Sequence, residues 1–393
     1  MPLSILIVTG SLYQRSNGVH WSVIETAGHL QSEGARVVVI GEKDSCLQGH
    51  PEDYAGLSTH ACARAGPESL HYSPGLSSVL RKLDQRPDVV VMNGVWVTNY
   101  CTAARWAGAR AIPYLLTLHG TLSPAALAFS RWKKWLATRT FAGSLLRNAA
   151  CLQALTVSEE QQIRNYGCRN PVCVIPNGVR IDETPAGRRQ ELRDGFLRRL
   201  GAQRVLLYLG RVDPIKGLDL LLKAWQQCRA NNNGWKLAIA GPGRESYLGE
   251  LRGLAATLRL NNVEFLGALY GEQKRAAFLG ADCFVLPSRS EALPMAALEA
   301  MAHRAPVLVT DACSGLDLVR ERAGIEVPCS VDGLQNGLDR FLDMNDGERQ
   351  SMVERASLLL RRNYHWPDIA RQLLDVYAWM AGQGPKPETV HLA

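Results

Sequence analysis

Two carboxylates, Glu291 and Glu299, stand eight positions apart in "EALPMAALEAMA", a stretch otherwise almost wholly Ala, Leu and Met. On one helix that separation is a rise of ~12 Å and a turn of about 80° beyond two full turns, so the two acids cannot share a proton. Pro294 decides the local structure. With no N–H to offer, proline suits the first position of a helix and not its interior. The expected helix therefore starts at Pro294, with Glu291 in the loop before it and Glu299 in its second turn. A helix start favours anions. Glu291 can then reach hydroxyls of a group bound at the loop, and Glu299 can accept hydrogen bonds from a diol such as a ribose. The plainer reading of Glu299 is a salt-bridged acid in a core helix, because a lone buried carboxylate is costly.

Cations complete the set. In "YLGRVDPIKG" a strand-like run ends at Gly210, Arg211 and Lys216 follow, and the amphipathic "LDLLLKAWQQC" opens. Two cations between a strand end and a helix start suit a diphosphate, Arg by paired contacts and Lys as a point charge. A solvated loop with two surface cations would read the same way. In "AGPGRESY", Gly241 and Gly243 let a backbone approach a ligand. The dinucleotide pattern G-x-G-x-x-G fails because position 246 is Ser, and no P-loop pattern occurs. In the first half, Asn17-Gly18 precedes a helix in "TGSLYQRSNGVH", and His119 ends the strand-like "LLTLHG". His119 taken alone reads more readily as a structural histidine.

These residues need elements to hold them. Short apolar runs ("SILIVTG", "RVVVIG", "DVVVMNG", "PYLLTLHG", "VLLYLG", "WKLAIAG", "CFVLPS", "PVLVT") alternate with amphipathic helical segments. Continuous apolar strands alternating with helices predict parallel sheets covered on both faces, the doubly wound α/β architecture. Residues 176–201 are rich in Pro, Gly and charge and read as a linker or domain edge, after which the alternation restarts at Val205. The prediction is two Rossmann-like halves. An amphipathic helix is expected from near Pro367, and the tail "AGQGPKPETVHLA" is expected to fray.

The chain of 393 residues has room for two domains, and its 46% hydrophobic and 21% charged content excludes a disordered protein. A net charge of +7 favours anionic partners, but the basic residues are scattered, so nucleic acid is not expected. The ten cysteines include no C-x-x-C and read as reduced cytosolic thiols. "MPLSILIVTG" reads as a first strand and not a leader, and no apolar run approaches membrane-spanning length.

The order of "SNGVH", "TLHG", "VIPNGV", "LGRVDPIKG", "IAGPG", "VEFLG", "ADCFVLPSRSEALPMAALEAMA" and a closing helix with "W..IA" spacing resembles the retaining glycosyltransferases of family 4. The resemblance implies the GT-B fold, two Rossmann-like parallel-sheet domains facing each other across a cleft. Residues 1–185 would bind acceptor, residues 186–364 a nucleoside-diphosphate sugar, and the helix 365–385 would cross back onto the first domain. It further implies that Arg211 and Lys216 hold the diphosphate, Glu299 the ribose and Glu291 the transferred sugar, with His119 in the catalytic set. Asn17, Gly18, Gly241, Gly243, Leu266, Ala292, Leu293 and Pro294 would line the substrates. The chain departs from the family pattern at Asn17, where Gly is usual, at Ala292 and at Arg304. No D-x-D occurs, so no cofactor and no metal held in that way is expected.

The donor is expected to be a UDP- or GDP-sugar and the acceptor a glycan or a lipid-linked glycan, in cell-surface polysaccharide synthesis. A nucleotide-sugar 2-epimerase of the same fold and a non-catalytic nucleotide-binding adaptor stay open, while a dinucleotide oxidoreductase is disfavoured. Residues 129–147 carry Arg131, Lys133, Lys134, Arg139 and Arg147 among Phe129, Trp132, Trp135, Leu136, Phe141 and Leu146, with no acid. Cations with interfacial aromatics suit an anionic membrane surface, so a peripheral place on the inner face of the cytoplasmic membrane is expected. On a helical wheel Trp132, Trp135, Leu136 and Leu146 share one side, though Arg139 falls among them. A helix packed on its own domain with a solvated basic edge is the alternative.

Overall fold

The structure, a computed structural model, describes residues 2–12, 18–43, 54, 56–67, 71–128, 131–229, 234–313 and 315–392. The chain divides into two compact units, Met1–Gly178 with Trp366–Ala393, and Val179–His365. The boundary lies at Gly178 and not after 185. Val179 bridges His365 and its N–H donates to the Tyr364 carbonyl at 2.8 Å, and Asp182 N–H reaches the Ala302 carbonyl at 3.3 Å. These bonds place residues 179–185 with the second unit.

The first unit is built on β1 (Ser4–Ser11), β2 (Arg36–Lys43), β3 (Ser58–Ala63), β4 (Val89–Asn93), β5 (Tyr114–Thr117), β6 (Cys151–Ala154) and β7 (Val172–Val174). They pair in parallel in the order β7-β6-β5-β4-β1-β2-β3. The second unit has β8 (Arg204–Leu209), β9 (Trp235–Ala240), β10 (Val263–Gly267), β11 (Cys283–Leu286), β12 (Val307–Thr310) and β13 (Ile325–Val327), parallel in the order β10-β9-β8-β11-β12-β13. In both sheets the winding reverses between the first and fourth strands. Loops that leave such a switch point diverge and open a crevice at the strands' carboxyl ends.

Burial explains the strands. β4, β5, β8, β11 and β12 are buried on both faces almost throughout, so apolar residues run along them, while the equally buried β6 carries Gln153, which accepts from Thr117 Oγ1 at 2.8 Å. β3, "STHACA", lies at the sheet's edge and is largely exposed, so its sequence lacks that signature.

Two expectations are corrected. The segment 176–201 is not all linker, because Ala186–Leu200 is a helix that buries Phe196 and Leu200 and ends at Gly201 with φ +57°. It packs so closely that a Cβ on Gly280 would lie 2.4 Å from the Phe196 ring, and Arg193 pairs with Asp282 at 2.8 Å. The tail does not fray. Val390 and His391 form β14, antiparallel to β7, and Val390 is fully buried. The helix Trp366–Met380 buries Trp366, Ile369, Ala370, Leu373, Val376 and Tyr377 in the first unit's core.

Candidate active site

In the second unit the chemistry gathers at the switch point between β8 and β11. Three loops interlock there through backbone. Gly210 N–H donates to the Ala240 carbonyl at 3.0 Å and Val212 N–H to the Pro242 carbonyl at 2.7 Å, while Val212 bridges Gly243. Gly241 has φ +144°, and a Cβ there would fall 1.7 Å from the Gly210 carbonyl oxygen. Gly217 has φ +68°, and its Cβ would fall 2.0 Å from the Pro287 carbonyl oxygen. Glycine is required at both positions by backbone conformation and by contact. Leu266 sits half-buried at the end of β10, one residue before the Gly267 carbonyl that accepts from Gly241 N–H at 2.8 Å.

Arg289 ties the first loop to the third. Its guanidinium grips Asp219 by two 2.8 Å bonds and the Pro214 carbonyl at 2.7 Å. Burial would raise the Asp219 carboxyl, yet the Arg289 pair holds it below the usual carboxylate range.

The acids and cations meet differently from one another. Lys216 Nζ and Glu291 Oε1 are 2.6 Å apart, and Ser288 Oγ donates to the same oxygen at 2.6 Å. Arg211 is exposed and has no ion-pair partner among the described residues. Tyr208, buried beneath it, donates to the Arg211 carbonyl at 2.7 Å. The helix runs Met295–Ala302 with Pro294 as its cap, one residue later than expected. Leu293 and Pro294 are buried and Ala292 is half-buried. Glu299 is half-exposed at the second turn and pairs with Lys274 at 2.7 Å, as the plainer reading of a salt-bridged acid has it. One carboxylate oxygen is thereby engaged.

In the first unit His119 follows β5 with φ +51°. Its Nε2 lies 3.1 Å from Asn93 Oδ1 at the end of β4, across that sheet's ligand edge. Burial lowers the imidazole from 6.5 to about 4, so it is neutral at pH 7. Glu159, a buried carboxylate raised by desolvation, accepts from Gly120 N–H and from Leu155 N–H at 2.7 Å and so anchors the turn after His119. Gly18 opens the helix Gly18–Ser32, and a Cβ there would meet nothing within 4 Å among the described residues. Asn17 lies outside the described residues.

Sequence reading missed Ser288, Arg289, Asp219, Lys274, Asn93 and Glu159. Only Glu159 carried a local signal: Thr156-x-x-Glu159 has capping-box spacing, and Thr156 Oγ1 does accept from Glu159 N–H at 3.1 Å.

The basic aromatic segment is not one helix. Arg131–Ala137 is α-helical, Thr138–Ala142 a π turn and Gly143–Arg147 α-helical again. A π turn carries extra residues and rotates the faces that follow. Trp132, Trp135 and Leu136, before the π turn, are 68%, 57% and 47% exposed, while Leu146, beyond it, is buried and does not share their side. Lys134 turns inward to the Ala126 carbonyl and over the Trp96 ring, and burial lowers its ammonium below the ordinary value. Arg139 lies over Trp135 at 4.5 Å. Phe129 and the side chains of Arg131 and Lys133 lie outside the described residues.

The family described as Glycosyl transferases group 1 matches residues 192–358, and the Glycosyl transferase 4-like domain matches residues 17–178. An uncharacterized glycosyltransferase of Methanocaldococcus jannaschii is 28% identical over 72% of this chain and 73% of its own. The phosphatidyl-myo-inositol mannosyltransferase of Mycobacterium tuberculosis is 33% identical, over about half of each protein (54% of this chain, 55% of that enzyme). A GDP-mannose-dependent alpha-mannosyltransferase of Mycolicibacterium smegmatis is 27% identical over 97% and 98%. Among solved structures, Anabaena HepE in complex with UDP and glucose superposes with a TM-score of 0.79 at 19% identity, over 96% of this chain and all of that one. That likeness shows a shared fold, GT-B.

Proposed function

Because the chain belongs to the group 1 glycosyltransferases, with a 4-like N-terminal domain, we propose that it transfers a hexosyl residue from a UDP- or GDP-sugar to a glycan or lipid-linked acceptor, with retention of anomeric configuration, in cell-surface polysaccharide synthesis. The observation that carries this reading is the convergence of Arg211, Lys216 and Glu291 at one sheet's switch point. Breaking the sugar–phosphate bond develops negative charge on the leaving diphosphate. Arg211, with no ion-pair partner among the described residues, and Lys216 of the same loop would stabilise that charge where it appears.

Glu291 takes hydroxyls of the transferred sugar, and Glu299 accepts from the ribose with the oxygen that Lys274 leaves open. The acceptor hydroxyl forms its bond to the anomeric carbon as the bond to phosphate breaks, and its proton passes to the leaving phosphate oxygen. His119, neutral and oriented by Asn93, and Gly18 belong to the acceptor-binding unit and serve as hydrogen-bonding and close-approach positions. The mannosyltransferase relatives and the UDP-bound neighbour support a nucleotide-sugar donor.

Thermal shift against UDP-, GDP- and ADP-sugars tests donor binding, since a ligand at 100 times its dissociation constant stabilises by about 2.7 kcal/mol. With the donor identified, Arg211→Ala and Lys216→Ala should each lower kcat roughly 10²-fold, the scale of one lost preorganised contact. Near-normal turnover in both would remove the assignment.

A further inference from the structure

Glu291 Oε1 receives two donors, Lys216 Nζ and Ser288 Oγ, each at 2.6 Å, while Oε2 receives none among the described residues. The two donors are unlike. Lys216 is a mobile cation on a four-carbon stem. Ser288 is fully buried, and its carbonyl accepts from Thr310 Oγ1 at 2.5 Å and from Cys329 Sγ at 3.6 Å. Thr310 is itself fully buried, and Glu291 N–H is pinned to the Ala312 carbonyl at 3.1 Å. Ser288 is therefore a fixed neutral donor and Lys216 a movable charged one, both on the same oxygen.

A diphosphate entering this site demands the Lys216 ammonium. Glu291 then loses its counter-ion, and a carboxylate only 12% exposed is costly without a partner. Something has to hold it, or it swings out and Oε2 no longer faces the sugar. We infer that Glu291 occupies Lys216 as a placeholder anion until the donor's diphosphate replaces it, and that Ser288 is the positioning residue that keeps Glu291 in place after the exchange. This rests on the donor-site reading above.

The inference gives opposite signs for two ligands at one residue. Calorimetry would measure UDP, GDP, UDP-glucose and GDP-mannose on the full chain, with donor hydrolysis to free sugar followed without acceptor. Glu291→Gln removes the placeholder, so the bound nucleoside diphosphate should tighten about fivefold, the scale on which a partly exposed ion pair competes. Hydrolysis of the intact donor by the same variant should fall at least tenfold. Ser288→Ala should leave nucleoside diphosphate affinity within twofold and lower hydrolytic kcat about tenfold, the worth of a hydrogen bond to a charged group. Ser288→Cys, which keeps the volume and a weaker donor, should fall between. Added to Glu291→Gln, Ser288→Ala should cost no more than twofold further, whereas a merely structural serine would add its full loss.

Unchanged or weaker nucleotide binding by Glu291→Gln overturns the placeholder. Wild-type kinetics in Ser288→Ala, or full additivity with Glu291→Gln, overturns the positioning role and leaves the donor site standing. If the wild type binds none of the four ligands, or Glu291→Gln hydrolyses normally, the donor-site reading falls and takes the inference with it.

Discussion

His119 holds a backbone φ of +51°, a conformation most non-glycine residues avoid, and burial lowers its imidazole to about 4. The unfolded chain, with an ordinary value near 6.5, takes up a proton that the folded chain refuses between those limits. Stability from this group is complete above pH of about 6.5 and is lost as pH falls toward about 4, at no more than about 1.4 kcal/mol per pH unit. His119→Gln keeps a hydrogen-bonding group toward Asn93 and removes the titration. Urea unfolding between pH 4.5 and 8 should therefore show a shallower acid limb in the variant than in the wild type, with parallel curves above neutrality. Identical acid limbs would mean that His119 titrates normally in the fold. At this scale the sequence displayed Arg211, Lys216, Glu291, Glu299 and His119, because charge or strand-end position marks them. Asn93 and Ser288 stayed hidden, because an uncharged side chain acquires a role only when the fold brings another residue to it. Asn93 meets His119 across 26 positions of chain.

The loops of the second unit form one object because backbone meets backbone where side chains would not fit. Gly217→Ala should cost about 1–3 kcal/mol from the left-handed conformation alone, and the 2.0 Å approach to the Pro287 carbonyl adds to it. Since Lys216 precedes that glycine and the Pro287 strand end leads into Ser288 and Glu291, nucleotide affinity should fall with stability. Gly249→Ala is the contrast. It lies exposed in the helix Glu245–Thr257, where an added methyl would meet nothing within 4 Å, so it should stabilise by up to about 1 kcal/mol and leave binding unchanged. Urea midpoints and nucleotide titrations of the two variants check the pair, and equal effects would refute the interlock. Most strands buried on both faces were legible from their apolar runs, but β6 was not, because Gln153 interrupts its four residues. β3 and β14 were not, because an exposed edge and a two-residue pairing leave no periodic trace. The π turn at Thr138–Ala142 was equally silent, and it changed which residues of its segment face outward.

At the scale of the molecule, a net charge of +7 coexists with no described helix long and apolar enough to cross a membrane. Trp132, Trp135 and Leu136 stand exposed together in the first unit, with Arg139 stacked on Trp135. Amphipathic aromatics and a cation suit the headgroup boundary of an anionic membrane. Lys134, turned inward, would add little to such an attachment, and the aromatics would carry more of it than the count of basic residues implies. At ~1 kcal/mol per basic residue near the surface, the electrostatic part is weak and salt-sensitive. The expected outcome is co-sedimentation with vesicles containing phosphatidylglycerol at low salt, reduced at high salt and on neutral vesicles. Trp132→Ser with Trp135→Ser should abolish it, Arg139→Gln should weaken it, and Lys134→Gln should act through stability and not through binding. The double tryptophan variant should keep its response to nucleotide, because the donor-site residues belong to the second unit. Wild-type protein that stays in the supernatant on anionic vesicles at low salt, or a double variant that still sediments, would place the attachment elsewhere or nowhere.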